Sequence, residues 1–130
     1  MINYKLLNDS IEYYEEKGYS RVESPWTVTK EISSITKPDD KMDFELVHNG
    51  KVLVGSGEQS FLYLYLKNFL PKGRFQTVTP CFRYESFDFL HTKYFMKNEL
   101  IITDDFTQET VEKMVDDSFD FFSRYLDTIK

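Results

Sequence analysis

The sequence has little of several features that mark large classes of proteins. It contains a single cysteine, Cys81, so no disulfide can form within the chain. No apolar run approaches the ~18 to 20 residues that a membrane-spanning helix requires. The first residues also lack the basic and then apolar pattern of a secretory signal peptide. These absences predict a soluble protein of the reducing cytoplasm.

Basic residues are also too few for one class of function. The chain has 16 Lys and Arg residues against 22 Asp and Glu residues, which gives a formal net charge of −6. A protein whose main task is to hold a nucleic-acid backbone needs a clustered excess of Lys and Arg. The charge balance therefore argues against DNA binding, while local basic patches stay possible.

Aromatic residues are abundant. The 130 residues include 12 Phe and 9 Tyr, and such side chains pack well in sheets and cores. The length predicts one domain over residues 1–130, large enough to bury a core of its own.

Apolar residues at steps of three and four predict helices. They cover about residues 4–17, 57–69 and a final segment that starts near residue 105. Capping boxes are expected where Ser56 precedes Gln59 and where Asp105 precedes Gln108. The apolar stripe of the final helix consists of Val111, Val115, Phe119, Phe122, Leu126 and Ile129.

Alternating apolar and polar residues predict antiparallel strands. Two long strands are expected over residues 74–85 and 93–102, and Asn49-Gly50 predicts a tight hairpin turn between two shorter ones. The fold class is therefore α+β, with an antiparallel sheet flanked by helices. Three lesser predictions are a strand at 19–23, a helical turn or two within 27–36, and a mobile loop at 37–41.

One face of the long predicted hairpin concentrates polar groups. A seven-residue loop places Arg83 beside Phe95 and Thr79 near Glu99. A guanidinium grips phosphate or carboxylate with paired hydrogen bonds, an aromatic ring stacks a base, and a carboxylate accepts from an amine. Such a floor could hold a nucleotide, but the same alternation is typical of a solvated face with cross-strand ion pairs.

The hairpin resembles the second signature motif of class II aminoacyl-tRNA synthetases. Phe82-Arg83-Tyr84-Glu85, a loop, and then His91, Phe95 and Glu99 match its anchors at the same steps. The helix and strand that end at Pro25 resemble the first motif of this family. Residues 54–59 resemble the segment that receives the substrate's amino group.

This resemblance implies a class II synthetase core, truncated at its C-terminus, that binds ATP and an amino acid. Arg83 would bind the α-phosphate and the amino acid carboxylate, Glu85 would orient the adenine amine, and Phe95 would stack beneath the ring. His91 would reach the outer phosphates, and Glu58 and Glu99 would take the ammonium. Mg²⁺ is expected with the nucleotide, although no ligands for it are identified. The alternatives are that Glu58 merely favours a helix dipole and that His91 is simply solvated.

The first motif also implies a homodimer, formed through the region Tyr4–Pro25. The family's third motif, a glycine-rich strand and helix with an arginine for the γ-phosphate, has no counterpart, because the only arginine after Asp104 is Arg124. There is no anticodon-binding module either, which argues against tRNA binding. Two functions therefore stay open: amino acid activation, and a non-catalytic paralogue that senses ligands or binds proteins. A relative of biotin or lipoate ligases is a third, weaker alternative.

Overall fold

The computed structural model of the chain describes residues 2–39, 41–46, 49–83 and 94–126. Helices and strands alternate within this part, which confirms the predicted α+β class. In chain order the elements are α1 (Tyr4–Glu16), β1 (Ser20–Arg21), β2 (Thr27–Thr29), α2 (Lys30–Thr36), β3 (Lys51–Leu53), α3 (Gly57–Leu66), β4 (Arg74–Phe82), β5 (Tyr94–Ile102) and α4 (Gln108–Ser123).

The main sheet has the strand order β1-β4-β5. Strands β4 and β5 form the long antiparallel hairpin that the alternation predicts, and β1 lies parallel to β4. Strands β2 and β3 pair with each other in a second, antiparallel sheet. The chain begins with α1, whose N-cap residue Asn3 accepts a hydrogen bond from the backbone of Leu6 at 3.0 Å.

The register of the long hairpin differs from the prediction by two residues. Thr79 faces Lys97 rather than Glu99, and Cys81 rather than Arg83 faces Phe95. The last described pair is Phe82 with Tyr94. A shift of two residues keeps every side chain on its own face, so alternation alone cannot distinguish these two registers.

The predicted hairpin around Asn49-Gly50 is confirmed for the residues that the structure describes on either side. A single bridge joins Glu45 to Val52, and the backbone of Leu46 donates to Lys51 at 2.9 Å. The main partner of β3 is however β2, in a pairing that the sequence pattern does not reveal.

One helix packs on each face of the β4–β5 hairpin. On what we call the α1 face, Leu100 and Ile102 of β5 pack against a buried cluster that consists of Tyr13, Tyr14, Tyr19 and Phe121. On the opposite α3 face, Ile101 packs against a second cluster of Phe61, Leu70 and Phe75. Strand alternation separates the two sets because successive side chains point to opposite faces.

Helix α4 covers α1 with a side that the sequence pattern does not predict. Its buried residues are Thr110, Asp117 and Phe121, and the Tyr13 hydroxyl donates to the Asp117 carbonyl at 2.6 Å. The predicted stripe lies on the exposed side, where Val115 and Phe119 are 59% and 53% exposed. Ile129 of that stripe lies outside the described residues.

Both predicted capping boxes are wrong in detail. Thr107 rather than Asp105 caps α4, because Asp105 instead accepts from the Thr110 hydroxyl at 2.7 Å. Ser56 occupies the N-cap position of α3, but its side chain makes no capping hydrogen bond.

Within the described part of the chain, no helix is both long enough and apolar enough to cross a membrane.

Candidate functional site

The segment before α3 is held against the end of β4 by backbone hydrogen bonds. The Phe82 amide donates to the Val54 carbonyl at 2.8 Å, and the Val54 amide donates to the Trp26 carbonyl at 2.9 Å. Val54 is fully buried. Residues 55–58 are therefore fixed beside Arg83, the residue that follows β4.

The first turn of α3 rests on the α3 face of the hairpin. A Cβ atom added to Gly57 would lie 2.9 Å from Cβ of Glu99 and 3.2 Å from Oγ1 of Thr79. The helix can approach this closely only because glycine has no side chain. Glu58 is the next residue of the helix, so its backbone lies close to Glu99.

Arg83 lies between that segment and an aromatic ring. Its Nε atom donates to the Gly55 carbonyl at 3.3 Å. Its guanidinium carbon lies 5.1 Å from the centre of the Phe95 ring, which is within cation–π range. The contact crosses the hairpin diagonally, since the facing partner of Phe95 is Cys81. Arg83 is exposed, and the other edge of its guanidinium is free of carboxylates among the described residues.

Lys97 and Glu99 form an ion pair on the same face. The Lys97 ammonium lies 3.1 Å from Oε2 of Glu99, whose side chain is 19% exposed. The two atoms are close enough for an ion pair, but their geometry is not that of a hydrogen bond. Oε2 therefore has no hydrogen-bond donor among the described residues. The buried hydroxyl of Thr79 is likewise without a described partner. Buried polar atoms are usually hydrogen-bonded, so these two atoms are exceptions among the described residues.

A cavity of about 300 Å³ opens beside these residues. Its lining brings Arg83 and Glu58 together with Lys97 and with residues of the loop that follows α2. Among the described residues, those that line it are Thr36, Lys37, Pro38, Lys41, Met42, Asp43, Gly55, Ser56, Glu58, Gln59, Phe82, Arg83 and Lys97. The volume is at the lower end of the ~300–1,000 Å³ that is usual for ligand pockets.

The loop that lines this cavity is held by a buried polar cluster. The Ser33 hydroxyl donates to Asp43 at 2.6 Å, and the Lys37 ammonium donates to the same carboxylate at 2.9 Å. Gln59 of α3 donates to the Ser33 hydroxyl at 3.2 Å and accepts from the Gly55 amide at 2.7 Å. Helix α2, the loop and α3 are thus joined beneath the cavity.

Cys81 lies on the α3 face of the hairpin, but it takes no part in the proposed chemistry. It is fully buried, and this burial raises the pKa of its thiol. A thiol that stays protonated at neutral pH is a poor nucleophile. Cys81 therefore serves as a small packing residue.

The structure brings together four of the predicted site residues: Arg83, Phe95, Glu58 and Glu99. Glu85 and His91 lie outside the described residues. The sequence reasoning missed Lys97 and the cations of the predicted mobile loop, Lys37 and Lys41. Lys97 shares the alternating face of Glu99 and could have been found by that signal.

No protein-family model matches this sequence, and no curated protein matches it at the sequence level. Solved structures do match, and their chains are class II aminoacyl-tRNA synthetases. The chain therefore has the fold of the catalytic domain of this class.

Three of these structures show the extent of the similarity. Seryl-tRNA ligase from Naegleria fowleri, in complex with AMP, matches 91% of this chain at 20% identity with a TM-score of 0.72. Seryl-tRNA synthetase from Pyrococcus horikoshii, complexed with ATP, matches 91% at 17% identity with a TM-score of 0.72. PylSc from Desulfitobacterium hafniense, a pyrrolysyl-tRNA synthetase, matches 92% at 18% identity with the same TM-score of 0.72.

This chain spans less than half of each of those proteins. It covers 29% of the Naegleria chain, 30% of the Pyrococcus chain and 43% of the Desulfitobacterium chain. At these identities the similarity shows a shared fold.

Proposed function

We propose that the chain binds ATP and an amino acid at the end of the β4–β5 hairpin. One observation carries the proposal. Arg83 stands between the Phe95 ring on one side and the cavity that contains Glu58 on the other. A single guanidinium can therefore reach a nucleotide phosphate and an amino acid carboxylate at once.

The other roles follow from the resemblance to the second motif. Phe95 is 37% exposed, which leaves surface for an adenine ring to stack on. Glu58 and Glu99 would receive the substrate ammonium, Glu85 would orient the adenine amine, and His91 would reach the outer phosphates. The absence of a capping hydrogen bond from Ser56 weakens the reading of this segment as a simple helix cap.

Amino acid activation is the reaction that such a site would support. The amino acid carboxylate attacks the α-phosphorus of ATP, an acyl-phosphate bond forms, and the bond to pyrophosphate breaks. Arg83 would stabilise the charge that develops on the phosphoryl oxygens. The alternative is a non-catalytic paralogue that binds these ligands as a sensor or interaction module.

Mg²⁺ is expected with the nucleotide, and the described part of the chain contains no clustered set of ligands for it. That part contains no group of three or more His, Cys, Asp or Glu residues arranged to hold a metal ion. In nucleotide sites Mg²⁺ is held largely by the phosphates themselves. We therefore expect Mg²⁺ to enter with ATP.

Calorimetric titration tests ligand binding, and pyrophosphate exchange tests turnover. We expect ATP and at least one amino acid to bind below about 1 mM, and Arg83→Ala to weaken both. Lys67→Ala, which removes an exposed cation at the end of α3 outside the cavity lining, is the matched control and should bind as the wild type does. Exchange that Arg83→Ala abolishes would establish activation, while binding without exchange would identify a sensor. If neither ligand binds, the proposed site is wrong.

We also propose a homodimer through the region Tyr4–Pro25, following the resemblance to the first motif. The inner side of α1 already packs within the chain, because the Tyr14 hydroxyl donates to Ser118 of α4 at 2.9 Å. The outer side, with Tyr4 at 70% exposure, is free to contact a second copy. Sedimentation should give a dimer at micromolar concentration, and a monomer there would contradict this interface.

A further inference from the structure

The cavity beside Arg83 is rich in positive charge although the whole chain is acidic. Four cationic side chains line it: Lys37, Lys41, Lys97 and Arg83. Among the described residues the lining contains two carboxylates, those of Asp43 and Glu58, and the chain as a whole has a formal charge of −6. Cations gathered in a concave site attract an anionic ligand.

Two of these cations are already neutralised within the protein. The Lys37 ammonium lies 2.9 Å from Asp43, and both side chains are largely buried. The Lys97 ammonium lies 3.1 Å from Glu99. Lys41 differs from both, because it has no ion-pair partner among the described residues. It is the unpaired cation of the wall that Lys37, Pro38, Lys41 and Met42 form, which we call the Lys41 wall.

The position of Arg83 indicates which ligand meets this wall. The Phe95 ring lies against the guanidinium and is not part of the cavity lining. If adenine stacks on Phe95, the cavity is left for the amino acid. Glu58, together with Glu99, then takes the ammonium and Arg83 takes the carboxylate, so the side chain of the substrate is the group left to contact the Lys41 wall.

We propose that this cavity selects an amino acid whose side chain ends in an anionic oxygen group, a carboxylate or a phosphate, and that Lys41 binds that group. The inference rests on the proposed function and names its substrate class. With the amine and carboxylate of the substrate matched by Glu58 and Arg83, the described part of the lining keeps one positive charge, on Lys41. A neutral side chain leaves that charge unmatched, whereas an anionic one pairs with it.

Competition titration with a panel of amino acids tests the proposal. The anionic probes are aspartate, glutamate and O-phosphoserine, and their neutral counterparts are asparagine, glutamine and serine. We expect the preferred anionic amino acid to bind roughly tenfold more tightly than its neutral counterpart. Lys41→Met should reduce that ratio to about twofold or less without weakening the neutral amino acid. Lys41→Glu should reverse the preference in favour of lysine.

Lys67→Met is the matched control, because Lys67 is exposed at the end of α3 and lies outside the cavity lining. It should keep the wild-type ratio. An equal loss in Lys67→Met and Lys41→Met would mean that net charge, not a contact, sets the preference, and would overturn the proposal. Wild-type protein that binds neutral amino acids as tightly as anionic ones would overturn it too.

The same variants separate an amino acid side chain from the outer phosphates of ATP. If Lys41 contacts those phosphates, Lys41→Met will weaken ATP and leave AMP unchanged, and the acidic-substrate proposal is wrong. If neither ATP nor any amino acid binds the wild type, the proposed function fails along with this inference. Binding of neutral amino acids alone overturns only the inference.

Discussion

On the α1 face of the β4–β5 hairpin, Gln76 and Asn98 form an amide network that ends in α1. The Gln76 amide donates to the Ile11 carbonyl at 2.9 Å and accepts from Asn98 at 3.0 Å. On the α3 face, Lys97 and Glu99 instead form an ion pair beside an open cavity. Both faces come from one alternating pattern, so what differs is what covers them.

The difference shows how one hairpin serves two purposes. The α1 face packs against α1, which α4 covers in turn, although the Tyr19 hydroxyl and Oδ1 of Asn98 have no hydrogen-bond partner among the described residues. The α3 face is covered only as far as Gly57, and beyond it Arg83 is exposed. Changes on the first face should therefore alter stability, and changes at the open end of the second should alter ligand binding.

The largest expected effect comes from removing a buried aromatic ring from the packing over the α1 face. Phe121 is 2% exposed, and its ring lies 5.2 Å from that of Tyr13. Phe121→Ala should lower the free energy of unfolding by about 3–5 kcal/mol, because it leaves a cavity among aromatic rings. Denaturant titration measures the loss, and Phe121→Leu gives a smaller loss if the alanine variant does not fold.

Phe119→Ala is the matched control on the same helix. Phe119 is 53% exposed and belongs to the apolar stripe, so its removal should change the free energy of unfolding by less than about 0.5 kcal/mol. Equal losses from Phe119 and Phe121 would mean that the stripe is buried, and the assigned orientation of α4 would be wrong.

The second largest expected loss of stability comes from disrupting the amide network on the α1 face. Gln76 is fully buried, and Gln76→Leu removes the donor to the Ile11 and Tyr19 carbonyls. Leaving buried carbonyls without a donor should cost about 1–3 kcal/mol. ATP affinity, measured on the folded fraction, should stay unchanged. A selective loss of ATP affinity with normal stability would contradict the assignment of stability to the α1 face and ligand binding to the α3 face.

The sequence predicts the long hairpin and its faces because the period of two along each strand separates the two sets of side chains. It does not predict the register, since a shift of two residues preserves the same pattern. The side of α4 that is buried also escapes prediction. Apolar periodicity selects the stripe around Val115, whereas the chain buries Thr110 and Asp117 because they hydrogen-bond locally and Phe121 because it fits the tyrosine cluster.

The candidate site is predictable only in part for a similar reason. Arg83, Phe95 and Glu99 lie on one strand pair, so local spacing and the motif bring them together. Lys41 comes from a loop that reads as polar and turn-rich, and only the tertiary fold places it in the cavity. Contacts between distant segments are not encoded in any short periodic pattern.

A smaller effect on the free energy of unfolding should distinguish two threonines on the α3 face. The Thr77 hydroxyl lies 2.7 Å from that of Ser24, whereas the Thr79 hydroxyl has no described partner. Thr77→Val should cost about 1 kcal/mol of the free energy of unfolding, and Thr79→Val should stay within about 0.5 kcal/mol of the wild type. Equal costs would show that a bound water satisfies Thr79.

The smallest effect is a pH dependence at the start of α4, the helix that covers α1. Hydrogen bonds from the Thr110 hydroxyl and the Thr107 amide lower the pKa of Asp105. A carboxyl whose folded pKa lies below its unfolded pKa of about 4 adds stability above the unfolded value and loses it as pH falls through the folded one. The free energies of unfolding of wild type and Asp105→Asn should therefore differ at neutral pH and converge in acid. Parallel curves from neutral pH into acid would mean that the Asp105 carboxylate does not stabilise this end of α4.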